Sequence, residues 1–119
     1  MPSHVILVVE DEPLLRLDAM TILEEAGHTV IGASNSASAI DILESRPDIT
    51  AIFTDIDMGA GHDGLWLAAR VRDRWPPVLI IVTSGHRRVT AEMLPSDAPF
   101  MAKPYTENQL LDQFARLAA

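Results

Sequence analysis

Cysteine is absent from this chain of 119 residues. That excludes a disulfide framework, a thiolate metal site and a cysteine nucleophile. Lysine is nearly absent: of nine basic residues, eight are arginine and Lys103 is the single lysine. Basic charge is scarce altogether, because 17 acidic residues set the formal net charge at −8. Affinity for nucleic acid rests mainly on clustered Lys and Arg, so this balance argues against a phosphate-backbone binder. No apolar run is long enough to span a bilayer. The stretch Val5–Val9 is too short for a signal-peptide core, and Glu10, Asp11 and Glu12 follow it at once. No Ser/Gly/Pro-rich linker, internal repeat or low-complexity tract divides the chain. The default expectation is one cytosolic domain over residues 1–119, without membrane or nucleic-acid contact and, if this is the whole protein, without an output domain.

What is present alternates between strand and helix patterns. Val5–Val9 is a continuous β-branched-rich apolar run, which suits a strand buried on both faces of a parallel sheet. Pro13 then opens a helix whose inward positions read as Leu15, Ala19, Ile22, Leu23 and Ala26, stopped by Gly27. Thr29–Ala33 reads as a second strand. Ser36 reads as the cap of a helix that buries Ile40 and Leu43 and ends before Pro47. Residues 49–54 form a third strand. A loop holding Gly59, Gly61 and Gly64 leads to a helix facing inward with Leu67, Ala68, Val71 and Trp75, closed by Pro76 and Pro77. Residues 78–82 are the most apolar strand. The pattern predicts a short helix over 89–94, a fifth strand at Phe100–Ala102, and a last helix. Thr106 and Gln109 are spaced as a capping box for that helix, which turns Leu110, Phe114 and Leu117 inward. Five strands alternating with five helices imply right-handed crossovers and a doubly wound α/β parallel sheet.

Such sheets bind ligands outside the carboxyl ends of their strands. The residues at those ends are polar: Glu10 and Asp11, then Asp55, then Thr83 and Ser84, then Lys103. Gathered at one edge, three carboxylates repel one another unless a cation compensates. An oxygen-only donor set favours Mg²⁺ or a similar hard ion. A hydroxyl and an ammonium beside such an ion make a clamp for phosphoryl oxygens, and the remaining carboxylate, Asp55, is placed to act as nucleophile and form an acyl phosphate. The lone lysine suits this place, since an ammonium is a compact point charge on a flexible stem.

Val-Val-Glu-Asp-Glu-Pro at 8–13, Thr-Asp-Ile-Asp-Met at 54–58, Asp-Gly at 63–64, Val-Thr-Ser-Gly at 82–85 and Lys-Pro-Tyr at 103–105 occur in order, each at a strand end or in the loop after it. In these marks the sequence resembles the receiver domain of two-component response regulators over essentially its full length. The resemblance implies a flavodoxin-like strand order 2-1-3-4-5 with five helices on two faces. It implies that Asp55 accepts a phosphoryl group from the phosphohistidine of a sensor histidine kinase or histidine phosphotransfer protein. It further implies Mg²⁺ held by Glu10, Asp11, Asp55 and the main-chain carbonyl of Asp57, with Thr83 and Lys103 on the phosphoryl oxygens. Thr83 and Phe100 become the switch pair, and the face of the fourth helix, fifth strand and fifth helix changes its binding of a downstream protein. The Lys103–Pro104 bond is expected cis. Beyond promoting its own phosphorylation and dephosphorylation, the chain is expected to be no enzyme.

The sequence departs from the family pattern at several places. Gly59 stands where a proline is usual, and the loop Gly59-Ala60-Gly61-His62 is one residue longer. Phe100 stands where many members have tyrosine. The stretch between Thr83 and Lys103 is short and interrupted by Pro95 and Pro99. The two positions that tend to set phosphoryl lifetime hold Asp57 and Gly85. His4, His28, His62 and His86 lack metal-ligand spacing and read as loop residues. His86 lies near the pocket rim, and Arg87 and Arg88 read as solvated. Trp66 sits off the inner helical face. Two other classes compete. A haloacid-dehalogenase-type phosphatase shares the Asp-x-Asp pattern of Asp55-Ile56-Asp57 but carries it after its first strand. A flavodoxin-like cofactor or pseudo-receiver module would want a glycine- and hydroxyl-rich phosphate loop where this chain has three acids.

Overall fold

Each strand of this protein presents apolar side chains to both sides. In β1 (Val5–Val9), Ile6 and Val8 enter one cluster, while Leu7 and Val9 enter another. This two-sided burial is what a parallel sheet covered by helices on both faces requires. The structure is a computed structural model that describes residues 3–59, 61–85, 89–95 and 98–118. The remaining strands are β2 (Thr29–Ala33), β3 (Ala51–Asp55), β4 (Leu79–Ser84) and β5 (Phe100–Ala102). All pair parallel, in the order β2-β1-β3-β4-β5.

Helices α1 (Pro13–Glu25) and α4 (Glu107–Ala118) cover one face, packing Ala19, Leu23, Leu110 and Phe114 on Ile6, Val8, Phe53 and Ile81. Helices α2 (Ser36–Ser45) and α3 (Gly64–Arg74) cover the other, with Ala39, Leu43, Leu67, Ala68 and Val71 on Leu7, Ile52, Ile80 and Val82. No helix among the described residues is long and apolar enough to cross a membrane.

Four α-helices are present among the described residues, not five. The expected helix over 89–94 is a single 3₁₀ turn, Ala91–Met93. Val89 and Thr90 are β-branched, and Pro95 follows within two residues of the turn. A proline disfavours helical geometry in the residue before it, so too few residues remain to propagate a helix.

Local chemistry corrects other details. Asn35, not Ser36, caps α2: its side chain accepts from the Ser38 N–H at 2.8 Å, while Ser36 is buried as the first helical residue. Leu15 (46% exposed) faces solvent, because Leu14, Leu15 and Leu17 crowd three leucines into one turn and a helix buries only one stripe, and Ala26, the C-cap residue of α1, is exposed as well. Trp75 ends α3 half-buried, under the Arg74 guanidinium at 4.4 Å. The capping box at Thr106 and Gln109 forms as expected, with bonds of 2.8 and 3.1 Å. The side chain of Leu117 lies outside the described residues.

At the opposite end of the sheet from the acids, His4 and His28 pack against Phe114 of α4. The His4 amide donates to His28 Nδ1 at 2.9 Å, so His28 is neutral in the fold and carries its proton on Nε2. Burial, and then the neighbouring His4 ring, hold His28 below the ordinary histidine value of 6.5. The unfolded chain therefore binds more protons than the folded one below pH 6.5, and stability falls as pH drops through that value until His28 itself titrates. His28→Gln keeps an acceptor without a titrating ring. We expect thermal melts of this variant to lose less stability than the parent's on acidification below that point. Parallel pH profiles would contradict the assignment.

Candidate functional site

The sheet register delivers the polar strand ends to one edge. Val9 pairs with Thr54 and Asp55 with Thr83, so Glu10, Asp55 and Thr83 stand at the ends of adjacent strands. Ser84 pairs with Ala102, which brings Lys103 next in line. Backbone bonds carry the order past the strands: the Glu10 amide donates to Ala33 O (3.0 Å), Ile56 to Thr83 O (2.9 Å) and Lys103 to Ser84 O (3.0 Å).

Glu10 and Asp55 are buried, and the carboxylates of both meet Lys103. Lys103 Nζ donates to Glu10 Oε1 at 2.8 Å and to Asp55 Oδ2 at 3.0 Å. The other Glu10 oxygen accepts the Glu12 amide at 3.1 Å, and the Arg16 guanidinium donates to the Glu10 carbonyl at 2.8 Å. Burial works against the Lys103 charge, but the two carboxylates prevail and hold its pKa above the ordinary value. Tyr105 anchors the loop that carries Lys103, packing edge-on against Phe53 with centroids 5.7 Å apart. Burial pushes its phenol up to about 12, so it stays neutral. The Lys103–Pro104 bond between them is cis.

Glu10, Asp11 and Asp55 each offer a carboxylate oxygen within 4.8 Å of the others. Asp11 stands exposed at the mouth, and desolvation followed by the Glu10 carboxylate push its pKa up. Acids crowded in this way, with oxygen donors only, fit a hard divalent cation such as Mg²⁺.

The loop after β3 is built around the nucleophile candidate. The Asp57 amide donates to Asp55 Oδ1 at 3.3 Å. Gly59 takes a positive φ of 54°, and a Cβ there would lie 3.4 Å from Asp11 Oδ2. Asp63 caps α3 by accepting from the Trp66 amide at 2.9 Å, and the Gly64 amide donates to Ile56 O at 2.9 Å. The Ser36 hydroxyl donates to His62 O at 2.9 Å, tying the loop to α2. His62 stacks on Trp66 with centroids 3.9 Å apart, which accounts for that tryptophan off the inner face. A concavity of about 430 Å³ beside Ile40, His62 and Trp66 does not include Glu10, Asp11 or Asp55 in its lining.

Two expected participants face elsewhere. Thr83 is buried, and its hydroxyl donates to Met101 O at 2.7 Å, toward β5. Phe100 is half-buried against the α2/α3-side core. Ser84 was placed at the strand end by the sequence but given no role of its own: it is buried, and its hydroxyl donates to Asp57 Oδ2 at 2.5 Å. Only the hydroxyl one step past Thr83 could have signalled it. Ala60 and the rim residues His86, Arg87 and Arg88 lie outside the described residues.

Comparison with known proteins agrees with this geometry. Residues 6–115 match the family model of the response regulator receiver domain. The sensor kinase CckA of Brucella abortus is 31% identical over 112 residues, covering 91% of this chain and 12% of that protein. The response regulator FleR of Pseudomonas aeruginosa is 31% identical over 116 residues, covering 95% of this chain and 24% of that protein. This chain therefore spans a quarter or less of the length of these two relatives. The crystal structure of a response regulator receiver protein from Sinorhizobium medicae superposes with a TM-score of 0.90 at 33% identity, covering 97% of this chain and 94% of that one. The carboxylates at the strand ends, the lysine that bridges two of them and the match over nearly the whole sequence lead to one assignment: this chain belongs to the receiver domain family of two-component response regulators.

Proposed function

We propose that Asp55 is the phosphoacceptor of this receiver. Its carboxylate oxygen attacks the phosphorus of a phosphohistidine on a histidine kinase or phosphotransfer protein. The P–N bond breaks, the imidazole leaves, and an acyl phosphate forms on Asp55. The observation that carries this reading is the Lys103 ammonium set between Glu10 and Asp55 at the edge where the acids converge. Glu10, Asp11, Asp55 and the Asp57 carbonyl would hold Mg²⁺, which would supply charge neutralisation for the transferring phosphoryl group. Lys103 exchanges its Asp55 contact for a phosphoryl oxygen. Thr83 gives up Met101 O for another, and the space it leaves lets Phe100 turn inward. The face of the 3₁₀ turn, β5 and α4 then changes its affinity for a downstream protein. The kinase side has its own approach surface: Leu14, Leu15 and Leu17 are 75%, 46% and 60% exposed on the first turns of α1, directly after the acids. Beyond its own phosphorylation and hydrolysis, the domain catalyses nothing.

The test uses a small acyl-phosphate donor and intact mass. With Mg²⁺, the parent is expected to gain one phosphoryl group, and Asp55→Asn is expected to gain none. A gain that persists in Asp55→Asn, or phosphate release from unrelated monoesters, would contradict the assignment.

A further inference from the structure

We propose that Ser84 is a positioning residue for the cation site: its hydroxyl holds the Asp57 carboxylate on the β4 side, so that Asp57 offers a cation its main chain and not its side chain. The inference rests on the reading of Glu10, Asp11 and Asp55 as a cation site.

Asp57 lies two residues past Asp55, and its amide already touches Asp55 Oδ1 at 3.3 Å. A carboxylate on a single methylene two residues past Asp55 is a candidate further ligand for an ion among the other acids. A fourth negative oxygen donor would be the strongest ligand still available to the ion. Yet Asp57 is not in the group whose oxygens lie within 4.8 Å of one another; that group, among the described residues, is Glu10, Asp11 and Asp55. Ser84 ends β4, is 3% exposed, and donates to Asp57 Oδ2 at 2.5 Å, the distance of a charge-assisted bond. Asp55 pairs with Thr83 in the register, so Ser84 stands one step beyond the nucleophile on the neighbouring strand. A buried hydroxyl there draws the carboxylate across the sheet edge.

The consequence is cation choice. Mg²⁺ keeps several waters and takes one or two carboxylates, whereas Ca²⁺ accepts six to eight oxygens in loose geometry. Withholding the Asp57 carboxylate leaves positions for water and for phosphoryl oxygens, and favours the smaller ion. Releasing it favours Ca²⁺.

Calorimetric titration of the full chain with Mg²⁺ and with Ca²⁺ tests this in four variants. Ser84→Ala is expected to bind Ca²⁺ about tenfold more tightly than the parent while its Mg²⁺ affinity stays within about threefold. Ser84→Thr, which keeps the hydroxyl, is expected to behave as the parent. Combining Ser84→Ala with Asp57→Asn is expected to erase the gain, since the amide carries no charge. An unchanged Ca²⁺ affinity in Ser84→Ala, or a gain that survives Asp57→Asn, would overturn the role of Ser84. Asp11→Asn separates the two levels. If it leaves parent Mg²⁺ affinity unmoved, the cation-site reading falls and this inference with it. If it abolishes binding while Ser84→Ala changes nothing, the inference alone falls.

Discussion

Gly64→Ala is expected to lower the melting temperature by about 12 °C and to abolish phosphoryl uptake at Asp55. A Cβ at this position would sit 2.0 Å from the Asp55 carbonyl oxygen, 2.7 Å from its carbon and 2.8 Å from Ile56 Cα. All three are backbone atoms, so no side chain can rotate away. Relief requires the start of α3 to separate from the end of β3, which also stretches the 2.9 Å bond from the Gly64 amide to Ile56 O. Overpacking of this kind costs on the order of 3 kcal/mol, and in a domain of this size each kcal/mol corresponds to about 4 °C. The functional loss follows from the same contact, because the backbone that must move is the one carrying Asp55. Differential scanning calorimetry and intact mass on the same sample read both effects. A variant that melts with the parent would mean that α3 is not seated as described.

Lys103→Met is expected to destabilise the cation-free protein by about 2 kcal/mol and to recover part of that loss on addition of Mg²⁺. Glu10 and Asp55 are 6% and 4% exposed, and Lys103 is the ammonium between them. Removing one partner of a buried ionic cluster leaves the others desolvated and facing one another. Lys103 keeps about a fifth of its side chain in solvent, so the cost is set below that of a fully buried pair. The raised pKa of Lys103 gives a second signature. Its folded pKa lies above the unfolded 10.5, so its contribution is fully present below that value and fades as the pH rises through the folded pKa. Melts in chelator and in Mg²⁺ measure the rescue; equal stabilities of parent and variant in chelator would contradict it. Lys103→Arg keeps the charge but replaces a compact ammonium with a planar fork. It is expected to retain most of the stability and lose the change in partner binding.

The strands were legible because each is a continuous apolar run with a polar end, and the parallel topology carries those ends to one edge. Glu10, Asp11, Asp55 and Lys103 could therefore be placed together across up to 93 residues of sequence separation. The fourth helix was not legible, since Pro95 acts through the residues before it and leaves only one 3₁₀ turn. The inward stripe of α1 was misjudged at Leu15 because three leucines share a turn and their pattern alone does not say which one the sheet accepts. The resting contact of Thr83 with Met101 O and the hold of Ser84 on Asp57 join residues 18 and 27 positions apart. Neither bond leaves a periodic trace; each depends on strand register and rotamer.

The family assignment and the site meet in one chemical claim, that the acyl phosphate forms on Asp55. Borohydride reduces an acyl phosphate to an alcohol, which would convert a phosphorylated aspartate to homoserine. The protein should be phosphorylated with a small acyl-phosphate donor in Mg²⁺, reduced, digested and sequenced by mass spectrometry. Homoserine is expected at position 55 and at no other aspartate. Homoserine at Asp11 or Asp57, or phosphorylated protein with none at position 55, would contradict it.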